Sequence, residues 1–253
     1  MKKKFIHTIF ILLLMPYIFV NLNAQDTEKR DINGLWINEE YLNTLKLNRS
    51  PKEAIKADNV RIPYFILTNN KIQWLNNFHD LTGHTINKGD KENVFDIKSS
   101  KDKSKHKLIV SNQGKIDKIV WINTSNASKD TIRQTFIKVS KSTEPHSYRS
   151  YFNSLVLTGK FKDENDNFYI FKTTGEGIWN NKGIIYKLGL DFIHSNHDYI
   201  MVKYEESVND EGFITYGFKW VSNQLLLFKE IRDNNEIFKC EKKPFIILTK
   251  FED

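Results

Sequence analysis

The sequence predicts an all-β protein: two small antiparallel β-barrels in tandem, placed after an export leader and interrupted by short helices. Three observations carry this. Beyond residue 30 the chain alternates apolar and polar residues on a period of two, with breaks at Asn, Asp and Gly clusters. No segment offers the long helices that parallel βαβ units need. Two stretches about 125 residues apart also open alike, Asn33-Gly34-Leu35-Trp36 and Thr158-Gly159-Lys160-Phe161, each with a Gly two residues ahead of a bulky ring.

The chain has 253 residues, of which 40% are hydrophobic and 13% aromatic, enough apolar area to offset chain entropy in one large domain or two small ones. With 11 Gly and 5 Pro it is neither low-complexity nor collagen-like. Residues 1–24 read as a signal peptide: Lys2, Lys3 and Lys4, an apolar run centred on Ile9 to Val20, then Ala24 before a cut at Gln25. Pro16 interrupts the apolar run, which is shorter than the ~20 residues that span a bilayer. No Cys ends it, so a lipid anchor is not expected. The mature product is expected to be soluble, secreted or periplasmic, without integral membrane insertion.

The leader carries those three lysines and no acid, so the +7 of the whole chain falls to +4 in the mature product. That is too weak and too dispersed for a nucleic-acid partner. The densest basic run, Lys98 to Lys107, has no aromatic for base stacking and reads as a solvated loop. Cys240 is the single cysteine, so no disulfide staples the fold and stability falls to the core.

In chain order, strands are predicted at residues 32–38, 61–67, 71–75, 93–98, 106–110, 116–122 and 132–139. After the second Gly-x-aromatic start they follow at 168–171, 183–192, 199–204, 213–220, 225–229, 236–240 and 245–250, spaced by turn-forming clusters as short hairpins are. Two helices are predicted. Ser50-Pro51-Lys52-Glu53 has a capping hydroxyl, Pro at the first helical position and a Glu placed to close a capping box, so a helix runs to about Ala57. Tyr148, Tyr151, Phe152 and Leu155 fall at i, i+3, i+4 and i+7 and line one face of a connector. The domains expected are 31–142 for the first barrel, 145–154 for the connecting helix and 156–253 for the second barrel.

A Gly-x-Trp at the start of the first strand, a short helical segment, a run of hairpins and a closing strand together resemble the lipocalin and lipocalin-like (calycin-type) β-barrels. The resemblance covers each half as a pattern. It implies that Gly34 and Trp36 close one end of the first barrel against a basic residue from a late strand, for which Arg133 is placed. It implies the same for Gly159 and Phe161 in the second barrel, where Phe replaces Trp and Arg232 is the looser basic partner. The opening from Gly34 to Leu42, with Arg49-Ser50-Pro51, is also similar to the start of a type of uncharacterised bacterial secreted protein.

Catalytic and metal constellations are incomplete. His194 and His197 flank Ser-Asn in a turn between strands, with no third ligand to assign. His79-Asp80 with His84 pairs an imidazole with a carboxylate, but no nucleophile elbow completes a site. Residues 163–167 alternate oxygen ligands as a calcium loop does, yet Phe168 and Thr174 stand where its Gly and bidentate Glu belong, so a hairpin turn is predicted. Gly175 and Gly177 form a Gly-x-Gly without a following phosphate-binding helix. Glu39-Glu40 and Glu205-Glu206 are adjacent and in a strand would face opposite sides. Metal ions and cofactors are therefore not expected.

Aromatics are the suggestive residues. Trp74, Trp121, Trp179, Tyr199, Tyr216 and Trp220 are the candidate lining of an apolar pocket, with core filling as the plainer role. The expected function is a non-enzymatic binding protein that holds a small apolar or amphipathic ligand inside one barrel, the partner being such a ligand or a cell-envelope component. It requires an open cavity of about 300 Å³ or more. The alternative is a structural or interaction module that grips a protein or glycan through its outer surface. An enzyme ranks third, requiring His79 or the His194 and His197 pair to converge with acids. A membrane-spanning barrel ranks last, because charged residues interrupt its outward apolar bands.

Overall fold

The computed structural model describes residues 31–57, 60–69, 71–76, 80–91, 93–98, 105–113, 116–124, 131–144, 147–190, 195–206, 212–232 and 238–251. Side chains are described for these except at 74–76, 80–83, 105, 112–113, 116–117, 124, 232 and 238. The expected leader, His79, His194 and most of the Lys98–Lys107 run lie outside the described residues.

Eight antiparallel strands close the first barrel: β1 (Gly34–Asn38), β2 (Tyr64–Thr68), β3 (Lys71–Asn76), β4 (Asp80–Lys88), β5 (Val94–Lys98), β6 (Lys105–Gln113), β7 (Ile116–Thr124) and β8 (Thr131–Ser140). Each pairs with the next, and β8 returns to β1. The second barrel uses β9 (Gly159–Lys162), β10 (Phe168–Phe171), β11 (Glu176–Trp179), β12 (Lys182–Leu188), β13 (Asp198–Tyr204), β14 (Ile214–Val221), β15 (Gln224–Arg232) and β17 (Ile246–Phe251), and β17 pairs back onto β9. The short β16 (Phe238–Cys240) adds to the far end of β15. Closure leaves no bare edge along either ring of strands, which suits a chain without disulfides.

The interior of the first barrel is packed with rings. Phe65 lies 4.7 Å from Phe136, 5.8 Å from Trp121 and 6.3 Å from Trp36 between ring centres. Trp121 donates its indole N–H to Nδ1 of the buried His106 at 3.3 Å, which gives the polar end of that ring a partner. The second barrel holds Phe161, Phe171, Tyr169, Trp179 and Tyr186, all buried. Trp179 stacks on Tyr216 at 5.0 Å, and Tyr216 stacks on Phe245 at 5.3 Å. Buried rings in mutual contact thus occupy the described part of each interior.

Three helices sit between the barrels. Helix α1 (Glu39–Asn48) starts directly from β1, because the Asn38 side chain accepts from the backbone N–H of Glu40 and Tyr41 and so replaces the missing first-turn partners. It ends at Arg49, whose φ of 50° is left-handed. No predicted helix covers these residues. Helix α2 (Pro51–Ile55) starts at the predicted Ser50, whose Oγ accepts from the Glu53 N–H at 3.1 Å. The reciprocal half of the capping box is absent: Glu53 pairs with Lys56 at 2.8 Å, while the Asp198 carboxylate accepts from the Lys52 N–H and the Ser50 hydroxyl. Helix α3 is Ser147–Val156.

Strand parity explains how one β-strand serves two cores. In β1 and β2, Trp36 and Phe65 point into the barrel, while Leu35, Ile37, Tyr64 and Ile66 point outward and are as fully buried. Their outer face packs on Tyr41, Leu42 and Leu45 of α1 and on Tyr148, Phe152 and Val156 of α3, in a core continuous with the second barrel's interior. Residues 33–253 accordingly form one compact unit. Among the described residues no helix is long and apolar enough to cross a membrane.

Candidate functional site

The glycine-plus-ring starts bring a third residue with them. Gly34 has φ of 135° and a Cβ there would lie 2.2 Å from the Ser140 carbonyl, so only glycine fits the bulge where β1 meets β8. Trp36 faces Lys138 across that ladder, and the Lys138 Nζ lies 5.8 Å from its ring centre. In the second barrel Phe161 faces Lys250, whose Cε approaches to 3.0 Å of where a Cβ on Gly159 would be. The basic partners are therefore Lys138 and Lys250. Arg133 is exposed on the outer face of β8, because it stands five positions from Lys138 and an odd offset puts two residues of a strand on opposite faces. Arg232 sits at the far end of β15, opposite Phe238, and its side chain lies outside the description.

The six aromatic candidates do not converge. Trp179 and Tyr216 stack inside the second barrel, whereas Trp121 belongs to the first barrel's core. Trp220 closes the seam with the helices, donating to the Val156 carbonyl at 2.9 Å under the Arg49 guanidinium, 4.5 Å away. Tyr199 lies half-buried on the outer face, with its ring against Gly189. Trp74 is opposite Phe65 in register, and its side chain lies outside the description.

The polar clusters have local roles. The Asp163 carboxylate accepts from the N–H of Asn165 and Asn167, the Asn167 amide and the Tyr169 hydroxyl, which clamps the β9–β10 hairpin. Slight burial opposes its ionisation, and these donors outweigh it and hold its carboxyl below the usual range. Cys240 places its Sγ where a Cβ on Gly217 would fall, and burial chiefly, with Glu230 adding, pushes the thiol up to about 11. His197 lies against the same glycine, and burial and then Lys52 lower its pKa. Both groups are thus neutral near pH 7, the wrong pairing for a thiolate nucleophile. Among the described residues no three His, Cys, Asp or Glu side chains gather as a metal site.

A site does form where α3 covers one end of the second barrel. The turn at 172–175 leaves β10, is closed by Gly175 N–H to Lys172 O at 3.1 Å, and is pinned on β12 by Tyr186, whose hydroxyl donates to the Lys172 carbonyl. Gly175, at φ of 91°, makes that close approach possible, since a Cβ would lie 3.0 Å from the Tyr186 carbonyl. From α3, the Asn153 amide donates to the Thr173 carbonyl at 3.1 Å. Between α3, this turn and β12 a cleft of about 310 Å³ opens, with Phe152, Tyr186, Leu188 and Leu190 as its apolar wall. Arg149 and Lys187 stand at its rim together with Glu176 and Glu205. Sequence reasoning missed this cleft, which joins short segments that are separated in the chain.

The fold and site define an all-β protein of two closed eight-stranded antiparallel barrels with a ligand-sized cleft at a helix-covered end. No protein-family model, no curated protein and no solved structure matches the chain.

Proposed function

We propose that this is a non-enzymatic, lipocalin-like binding protein, acting in the periplasm or outside the cell. On this reading it holds a small amphipathic ligand in the α3–β12 cleft, at the mouth of the second barrel. One observation carries the reading: a cleft of about 310 Å³, within the size range of small-molecule sites, has an apolar wall and a polar rim. The packed rings among the described residues of both interiors favour this position over a chamber inside either barrel. Kinship with the lipocalins is supported by the repeated Gly, ring and Lys arrangement at Gly34, Trp36 and Lys138 and at Gly159, Phe161 and Lys250.

Native mass spectrometry of the protein purified from its own host tests the reading. A small molecule bound to the native protein and absent from an Ile185→Trp variant supports it, since Ile185 lines the cleft from an exposed position. A native mass equal to the chain alone argues for the alternative, recognition through the outer surface. That second reading is favoured by the exposed Phe168, which packs at 6.0 Å on Phe251 with the Lys162 Nζ 4.8 Å from its ring. A groove of about 390 Å³ lies alongside, lined by Asp163, Gln224, Ile247 and Thr249.

A further inference from the structure

Asn153 is 3% exposed, and its Oδ1 has no hydrogen-bond partner among the described residues. Its amide orientation is fixed by chemistry: Nδ2 faces the Thr173 carbonyl, which accepts and cannot donate, so Oδ1 is the atom left over. A buried acceptor without a donor is costly, and native structures keep few of them. This one belongs to a wall residue of the α3–β12 cleft. We infer that the cleft selects ligands by a hydrogen-bond donor, a hydroxyl or an amide N–H at the head of an apolar chain or ring, and discriminates against a carboxylate head. This inference rests on the cleft being the binding site proposed above.

The surrounding chemistry agrees. A ligand body on Ile185 and Leu188, with Phe152, Tyr186 and Leu190 buried behind them, loses water on one side, and its head then meets an acceptor. A carboxylate at that depth would set two acceptors against each other and leave its charge desolvated. The rim does not reverse the preference. Arg149 is exposed, with its guanidinium 5.8 Å from the Tyr148 ring, and the Lys187 Nζ is 4.3 Å from the Phe213 ring. Glu176 and Glu205 line the same cleft, so the rim carries both signs, and water screens exposed charges.

Titration of the whole mature protein with 1-octanol and with octanoate at neutral pH, read by calorimetry, is the test. The alcohol is expected to bind about tenfold or more tightly, the discrimination that one hydrogen bond at a buried acceptor gives. Asn153→Leu is expected to narrow that ratio about fivefold or more, and Ile185→Trp to weaken both probes alike. Octanoate binding as well as or better than octanol, with both blocked by Ile185→Trp, overturns the donor inference and leaves the cleft standing. Failure of both probes to bind, or binding indifferent to Ile185→Trp, overturns the cleft itself. The wild-type ratio decides the matter even if Asn153→Leu does not fold.

Discussion

Phe152 is the residue whose removal most directly tests the helical layer. It is fully buried on α3, and its ring meets Tyr64 at 5.1 Å, Tyr41 at 6.0 Å, Tyr151 at 6.2 Å and Tyr148 at 6.3 Å. Truncating a buried Phe to Ala costs about 3–5 kcal/mol, from lost transfer energy plus the cavity left behind. Phe152→Leu keeps most of the volume and loses the ring contacts. Three of the four are edge-on, and such pairs contribute about 0.5–1.5 kcal/mol each beyond burial. Partial repacking leaves an expected loss of about 1–2 kcal/mol for Leu. In a chain of this size 3–5 kcal/mol corresponds to a melting point lower by about 10 °C. Urea unfolding followed by tryptophan fluorescence and circular dichroism measures both variants. A loss under about 1 kcal/mol for Phe152→Ala, or equal losses for Ala and Leu, would refute the assignment of Phe152 as a ring-packed keystone between the barrels.

Two further outcomes are expected. Lys138→Met should lower stability by about 0.5–1 kcal/mol by removing the cation over Trp36, while Arg133→Met should stay within about 0.5 kcal/mol of wild type; urea midpoints in the opposite order would restore Arg133 as the partner. Burial holds the Asp198 carboxyl above its ordinary range, with the Ser50 and Lys52 hydrogen bonds opposing in part. The native state therefore keeps this proton to higher pH than the unfolded chain. The contribution is full below the ordinary carboxylate value of about 4 and is lost as pH rises through the native one. Asp198→Asn keeps an acceptor for the Lys52 N–H and removes the titration, so its melting point relative to wild type should climb from pH 3.5 to 7. A flat or falling difference defeats the assignment.

The barrels were legible because hairpin strands declare themselves by alternation. β10, β13 and β14 fall within a residue or so of their predicted limits. β4 was not, because Asp80-Leu81-Thr82-Gly83-His84-Thr85 carries too few apolar residues to show a period, and its pairing is dictated by β3 and β5. Helix α1 left signals that were passed over: a capping Asn38, acids at Glu39 and Glu40, and apolar residues at 41, 42 and 45. Residue type alone points to Arg133 and Arg232, whereas the register of β8 and β17 sets Lys138 and Lys250 opposite Trp36 and Phe161. The cleft had no sequence signature. Asn153 reads as an ordinary polar residue on a short helix, and its significance arises from a turn twenty residues onward that no local pattern ties to it.

The outward side of β1 and β2 has a bearing on how this chain is made. Leu35, Ile37, Tyr64 and Ile66 find their cover partly in a helix that begins at Ser147, after the whole first ring of strands. As the chain is made, the leading half emerges with that greasy flank covered only by α1 until the middle of the chain arrives. Cutting the tandem into separately produced halves should therefore yield a sticky first piece, even though its strand circle is complete on paper.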